Sequence, residues 1–146
     1  MSQSSEITVD QTHGDPDTTI LHIGTVNLAS ANVTSDRRRE FRDAFQEAIA
    51  KALEREVEVV VQTGQLWAAR NPPDADVRLL RSELEKLQSA DIRFVHAGSD
   101  RDIDMEIVDD LIADDLIERP YDEPAIVGST AILSIPPEET NRQFDN

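Results

Sequence analysis

Residues 19–34, TILHIGTVNLASANVT, decide the fold of this chain. A short apolar run comes first, a loop of small residues follows it, and a long helical pattern begins directly afterwards. Two later stretches repeat the order of apolar run and glycine turn: VEVVVQTGQLW at residues 57–67 and IRFVHAGSD at residues 92–100. The carboxyl ends of parallel strands meet at one edge of a sheet, so the three turns predict one cluster of polar side chains there.

Helical patterns separate these strands. Over residues 35–55, apolar side chains recur every three or four positions, which predicts a helix with one buried face, and Ser35 is its predicted N-cap. A double proline at 72–73 predicts the start of a second helix over 74–88, because proline lacks the N–H that a first turn leaves unpaired. A weaker pattern predicts a third helix over 105–116.

Two short strands, 125–127 and 130–135, complete the pattern, with a Gly-Ser turn between them. The order β-α-β-α-β-α-β-β predicts an α/β fold with a mostly parallel sheet flanked by helices and right-handed crossovers. We place this domain at residues 19–136. We expect a disordered polar leader at 1–18 and a loose acidic tail at 137–146.

The chain is strongly acidic. Of its 146 residues, 30 are Asp or Glu and 14 are Lys or Arg, which gives a net charge of −16, and Lys51 and Lys86 are the two lysines. Carboxylates spread over the whole chain are typical of halophilic proteins, because concentrated salt screens their repulsion. The alternative is an acidic partner-binding protein in ordinary cytoplasm. The charge also argues against binding nucleic acid by bulk attraction.

Composition excludes several kinds of protein. No run of eighteen apolar residues occurs, so no membrane-spanning helix and no membrane partner are predicted. The N-terminus lacks the basic and then apolar pattern of an export signal, so we expect a cytoplasmic location. Because the chain has no cysteine, disulfides and thiolate metal sites are excluded.

Three segments carry a resemblance to a known family: ILHIGTVNLAS, DRRREFRDAFQEAIAKALEREVEVVVQTGQLW and NPPDADVRLLRSELEKLQSADIRFVHAGSD. Over residues 20–136, with the late segment PAIVGSTAILSI, the chain resembles the first half of the calcineurin-like metallophosphoesterases. The branch it resembles is the SbcD-type exonuclease subunit of DNA double-strand-break repair. The resemblance implies part of the four-layer metallophosphoesterase fold, and two manganese or other divalent ions as the family's cofactors.

The family's metal motifs are altered in this chain. Thr25 and Asn27 stand where the first motif has Asp and His, Gln65 replaces the bridging Asp of the second, and Ser99 and Asp100 occupy the Asn and His positions of the third. Two divalent cations about 4 Å apart repel by roughly 16 kcal/mol at an effective dielectric near 20, which a neutral amide does not offset. We therefore predict that no metal is bound and that the chain is a catalytically inactive, truncated member, acting as a binding or regulatory module.

Two other interpretations stay open for the same residues. A metal-dependent phosphodiesterase or nuclease with rearranged ligands would use His22, His96, Asp100 and Asp102. Two histidines without a third strong ligand are more often packed, hydrogen-bonded side chains. The D-x-D-x-D spacing at 100–104 suits Mg²⁺ or Ca²⁺, but in so acidic a chain such a run is usually a solvated surface.

A basic cluster on the first helix gives a third interpretation, a DNA-binding module. Its residues would contact phosphates, but interleaved acidic side chains favour ion pairs at helical spacing instead; they are Arg37, Arg38, Arg39 and Arg42. As partners we expect a second copy of the chain or a DNA-repair protein. The apolar stripe of the helix over 74–88 is the predicted contact surface for such a partner. Half of the family fold would also leave a sheet face without its cover, which favours association.

Overall fold

The computed structural model describes residues 8–11, 18–29, 33–67, 71–98 and 106–134. Its strands and helices alternate as an α/β fold, which confirms the predicted class. In chain order they are β1 Thr8–Gln11, β2 Thr19–Ile23, α1 Ser35–Arg55, β3 Val59–Gln62, α2 Asp74–Ser89, β4 Arg93–His96, α3 Glu106–Ala113, β5 Ala125–Val127 and β6 Thr130–Ile132.

The main sheet has four strands in the order β1-β2-β3-β4. Strands β2, β3 and β4 are parallel, whereas β1 pairs antiparallel with β2 at one edge. The sequence did not predict β1, which lies inside the leader expected to be disordered, so residues 8–11 differ from that expectation. Four residues with a single apolar member, Val9, are too few for a periodic pattern, and pairing with β2 determines their conformation.

The two faces of the sheet have different covers. Strands β2, β3 and β4 are added in one direction, so right-handed crossovers bring α1 and α2 to the same face. We call this the helix face; its centre is the row Leu21, Val60 and Phe94. Buried residues from all three helices pack on it, and among them are Phe45, Ile49, Leu80, Leu84, Val108 and Leu111.

The opposite face, which we call the hairpin face, is covered by the β5–β6 hairpin. Val59 and Val95 of the sheet pack there against Ala125 and Val127. Arg93 joins the two layers: its Nε and Nη2 each donate to Glu118 at 2.7 Å, and its Nη1 donates to the carbonyl oxygen of residue 126. The hydrogen bond with Glu118 raises the pKa of Arg93 above its ordinary value.

The observed ends of α1 show where local prediction succeeds and where it is off by one residue. The helix covers the predicted range, but its N-cap is Thr34 instead of Ser35, because the Thr34 side chain accepts from the amide of Arg37 at 3.2 Å.

Helix α3 ends at Ala113, before the predicted end. Asp115 takes a left-handed conformation (φ 60°), and the chain then turns Leu116 into the core.

No helix in the part of the chain that the structure describes is both long enough and apolar enough to cross a bilayer.

Candidate functional site

The loops after β2, β3 and β4 lie side by side at the carboxyl edge of the sheet. The amide of Val26 donates to the carbonyl of Gln65 at 2.8 Å, and the amide of Ala97 donates to the carbonyl of Gln62 at 2.8 Å. The structure therefore brings Thr25, Asn27 and Gln65 onto neighbouring loops. Three other predicted positions, Ser99, Asp100 and Asp102, lie outside the described residues.

Close backbone approach shapes these loops. Asn27 has a left-handed conformation (φ 55°), and Gly64 has a φ of 79°. A Cβ at Gly64 would lie 2.3 Å from the hydroxyl oxygen of Thr25, and a Cβ at Gly98 would lie 2.0 Å from the carbonyl oxygen of Gly64. Space next to the backbone therefore requires glycine at position 98, whereas at position 64 the left-handed conformation also favours it, and the three loops form one tightly packed rim.

The two histidines point to opposite faces of the sheet. In the observed register, His22 is level with Val61 and Val95, whereas His96 is level with Gln62 and Ile23, one residue further along. Neighbouring residues in a strand point to opposite faces, so His22 is on the hairpin face and His96 on the helix face. The two imidazoles therefore lie on different faces of the sheet.

Each histidine has a hydrogen-bond partner of its own. His22 Nε2 lies 2.8 Å from Thr63 Oγ1 in a half-buried position. His96 is fully buried, and its Nδ1 is hydrogen-bonded to Gln62 Oε1. Because that oxygen only accepts, His96 Nδ1 carries the proton. Both imidazoles are thus hydrogen-bonded to side chains of β3 or the loop that follows it.

Gln62 is a central residue of the rim that the sequence analysis missed. It is fully buried, and its Nε2 donates to the carbonyl oxygens of Thr63 at 2.8 Å, Gly24 at 3.0 Å and Gly64 at 3.4 Å. The available signal was a polar residue ending the valine run of a buried strand, since a buried amide must find partners. Gln62 thus links the loops after β2 and β3, through Gly24 and Gly64, to the end of β4 at His96.

The arginine cluster lies on the first turns of α1, near the same rim, and its side chains have partners within the chain. Arg37 pairs with Glu40 at 2.8 Å and lies over the ring of Phe41. Arg42 donates from Nε to Oδ1 of the buried Asp76 at 2.7 Å. The remaining two form weaker contacts with residues of the same helix, Arg38 with Ser35 at 3.4 Å and Arg39 with Asp36 at 3.9 Å.

Curated proteins similar to this chain share one description, DNA double-strand break repair protein Mre11. The protein from Halobacterium salinarum is 31% identical over 122 residues, which cover 80% of this chain and 31% of that protein. The one from Methanosarcina acetivorans is 29% identical over 127 residues, 83% of this chain and 20% of that protein. The one from Haloferax volcanii is 34% identical over 79 residues, 53% of this chain and 18% of that protein. No family model matches the chain.

The chain is homologous to part of these Mre11 proteins. The relationship confirms the predicted resemblance to the metallophosphoesterase superfamily and its DNA-repair branch. The chain spans about a third of the length of the Halobacterium Mre11 and a fifth of the Methanosarcina Mre11. Halophilic organisms are among the sources of these relatives.

The described part of the rim does not fit a two-metal centre. Thr25, Asn27 and Gln65 offer neutral oxygen atoms, which are weak ligands for a transition metal beside carboxylate or imidazole. Within the described residues, no group of three or more His, Asp or Glu side chains is placed to hold a metal ion. The described residues of the rim therefore do not supply the ligands that a two-metal reaction needs.

Proposed function

We propose that this chain is a metallophosphoesterase-like protein of DNA repair that acts by binding and has no nuclease activity of its own. The observation that carries the proposal is the chemistry of the rim. Where a dinuclear centre needs anionic and imidazole ligands, the rim presents the neutral side chains of Thr25, Asn27 and Gln65. A neutral amide at the bridging position leaves the repulsion between two divalent cations uncompensated.

The positions of the histidines support this proposal against a rearranged enzyme. His22 and His96 lie on opposite faces of the sheet, and His96 is fully buried beneath the rim. A metal ion on one face would therefore have at most one of the two imidazoles. Without activated water and a clamp on the phosphoryl oxygens, phosphodiester hydrolysis has no catalyst.

The surface of the hairpin supports a role in association. Ile126 and Leu133 are the large apolar side chains exposed among the described residues, each at 55%. Ile126 lies opposite Ala131, on the side of the hairpin away from the buried Ala125 and Val127, and Leu133 directly follows β6. A contiguous exposed apolar patch is a feature of interaction surfaces, and these two side chains supply the exposed aliphatic groups for one here. We propose a second copy of the chain as the occupant, in the cytoplasm of a halophile, with a repair protein as the other candidate.

A restoration experiment tests the absence of catalysis. The purified chain is assayed on a DNA duplex with Mn²⁺ in concentrated KCl, and Mn²⁺ binding is measured by calorimetry. We expect neither hydrolysis nor tight binding. The matched variant Thr25→Asp/Asn27→His/Gln65→Asp restores three family ligands and is expected to bind Mn²⁺ measurably.

Hydrolysis by the unmodified chain that a chelator abolishes would contradict the proposal. His22→Asn and His96→Asn variants then show whether a rearranged site is responsible, since activity from such a site would disappear with either imidazole. Activity that survives both changes would point to other ligands of this chain and would equally end the binding-only interpretation.

A further inference from the structure

The amide of Gln62 sits in a cage of backbone carbonyl groups. The carbonyl oxygens of Thr63, Gly24 and Gly64 surround its Nε2 at 2.8, 3.0 and 3.4 Å. They come from the loops after β2 and β3, and the β4 residue His96 holds the other end of the same amide. The reverse orientation of the amide would set its oxygen against three carbonyl oxygens, so the cage fixes which end faces it.

We propose that this cage is a built-in cation site in which the Gln62 amide takes the place of the ion. Several backbone carbonyls aimed at one point are the arrangement with which proteins bind hard cations, such as Na⁺, K⁺ and Ca²⁺. The NH₂ group of Gln62 carries the partial positive charge that such oxygens favour. Its two N–H groups are shared among the three carbonyl oxygens, and the contact with Gly64, at 3.4 Å, is the longest and weakest.

The amide therefore holds the three carbonyl groups together as a bound ion would, and it does not have to be supplied from solution. Gln62 is fully buried, so its hydrogen bonds are shielded from water and from salt. These contacts hold the loops after β2 and β3 together without a bound ion. This arrangement would be the same whether the chain binds a partner or proves to be a nuclease.

The cage predicts that a carboxylate at this position recruits a real cation. In Gln62→Glu, an anionic oxygen faces carbonyl oxygens and has no proton to donate, so the variant is destabilised until a cation enters. We expect Ca²⁺ to raise the melting temperature of Gln62→Glu. The unmodified chain is expected to show no such rise, because its amide already fills the cage. The control Gln46→Glu adds the same charge at a half-buried position on α1, outside the rim.

A Gln62→Glu variant that shows no response to Ca²⁺ or does not fold would overturn the proposal, as would an equal response of Gln46→Glu or of the unmodified chain. A second variant, Gln62→Met, keeps the length of the side chain and removes its donors. Its amide hydrogen exchange is expected to be about tenfold faster or more at Val26, Thr63 and Ala97, whose bonds join each loop to the neighbouring loop or strand end. Exchange at Glu58, bonded to Thr19 at the other end of the sheet, is the internal reference. Unchanged exchange at all three rim amides would also overturn the proposal.

Discussion

Arg42 and Asp76 form an ion pair whose two members are unequally buried. The Asp76 side chain is 1% exposed and that of Arg42 is 39% exposed. One carboxylate oxygen of Asp76 accepts from Arg42, and the other finds no donor among the described residues. A buried carboxylate depends on its cation much more than a half-exposed guanidinium depends on its anion.

We expect Arg42→Met to destabilise the chain by about 3 kcal/mol, because it leaves a carboxylate buried without a cation. Asp76→Asn keeps an acceptor oxygen for Arg42 and removes the charge, so its cost is about 1 kcal/mol. Urea unfolding at constant KCl measures both.

Arg39→Met is the matched control, because its pair with Asp36 is long, at 3.9 Å, and solvent-exposed. It is expected to leave the midpoint of unfolding unchanged. Equal losses for Arg39→Met and Arg42→Met would mean that Arg42 acts only through surface charge.

At the scale of single residues, the sequence located the rim but not its internal order. Thr25, Asn27 and Gln65 follow their strands at predictable places, since each strand ends at a glycine turn. The orientation of His22 and His96 depends on the register between strands, and a slip of one residue would move a side chain to the other face. Neither that register nor the partners of Gln62 can be read from one sequence.

Helix α1 is the element that the sequence predicted best, because its apolar spacing extends over 21 residues. Its start shows the limit of such patterns. Thr34 and Ser35 are adjacent hydroxyl residues, and either satisfies the compositional rule for an N-cap. The backbone decides between them: Thr34 is extended, with φ −66° and ψ 164°, whereas Ser35 is already helical.

The cap assignment predicts unequal effects of two similar substitutions. We expect Thr34→Ala to lower the free energy of unfolding by about 1 kcal/mol, because the amide of Arg37 loses its acceptor. Ser35→Ala removes only a long contact with the Arg38 side chain, at 3.4 Å, and is expected to have a much smaller effect. Thermal unfolding of the two variants at matched salt compares them. A larger loss of unfolding free energy for Ser35→Ala would mean that Ser35, the N-cap predicted from the sequence, caps the helix.

On the scale of the whole molecule, a net charge of −16 opposes association in dilute salt. The Debye length falls from about 10 Å at 0.1 M salt to about 3 Å at 1 M, so copies of the chain repel each other far less at high salt. The outer side of the hairpin supplies a short-range apolar attraction once repulsion is screened. Attraction to a basic partner would show the opposite dependence on salt.

We therefore expect the solution mass of the chain to rise with protein concentration in molar KCl and to stay that of a monomer in dilute salt. Ile126→Ser/Leu133→Ser is expected to remain monomeric in both, as measured by sedimentation equilibrium. Ala50→Ser, on the exposed side of α1, is the control for a general loss of apolar surface. Association that persists in the double variant would place the contact elsewhere on the molecule.

The strand order of the sheet, β1-β2-β3-β4, is also the order in which a ribosome makes the strands. When each strand of this sheet is synthesised, the strand it pairs with already exists, and no later strand is inserted between the two. Pairing between successive strands closes one crossover at a time, although each parallel pair is non-local and so forms more slowly than a hairpin. Assembly of the sheet can therefore proceed during translation, from the amino end onward.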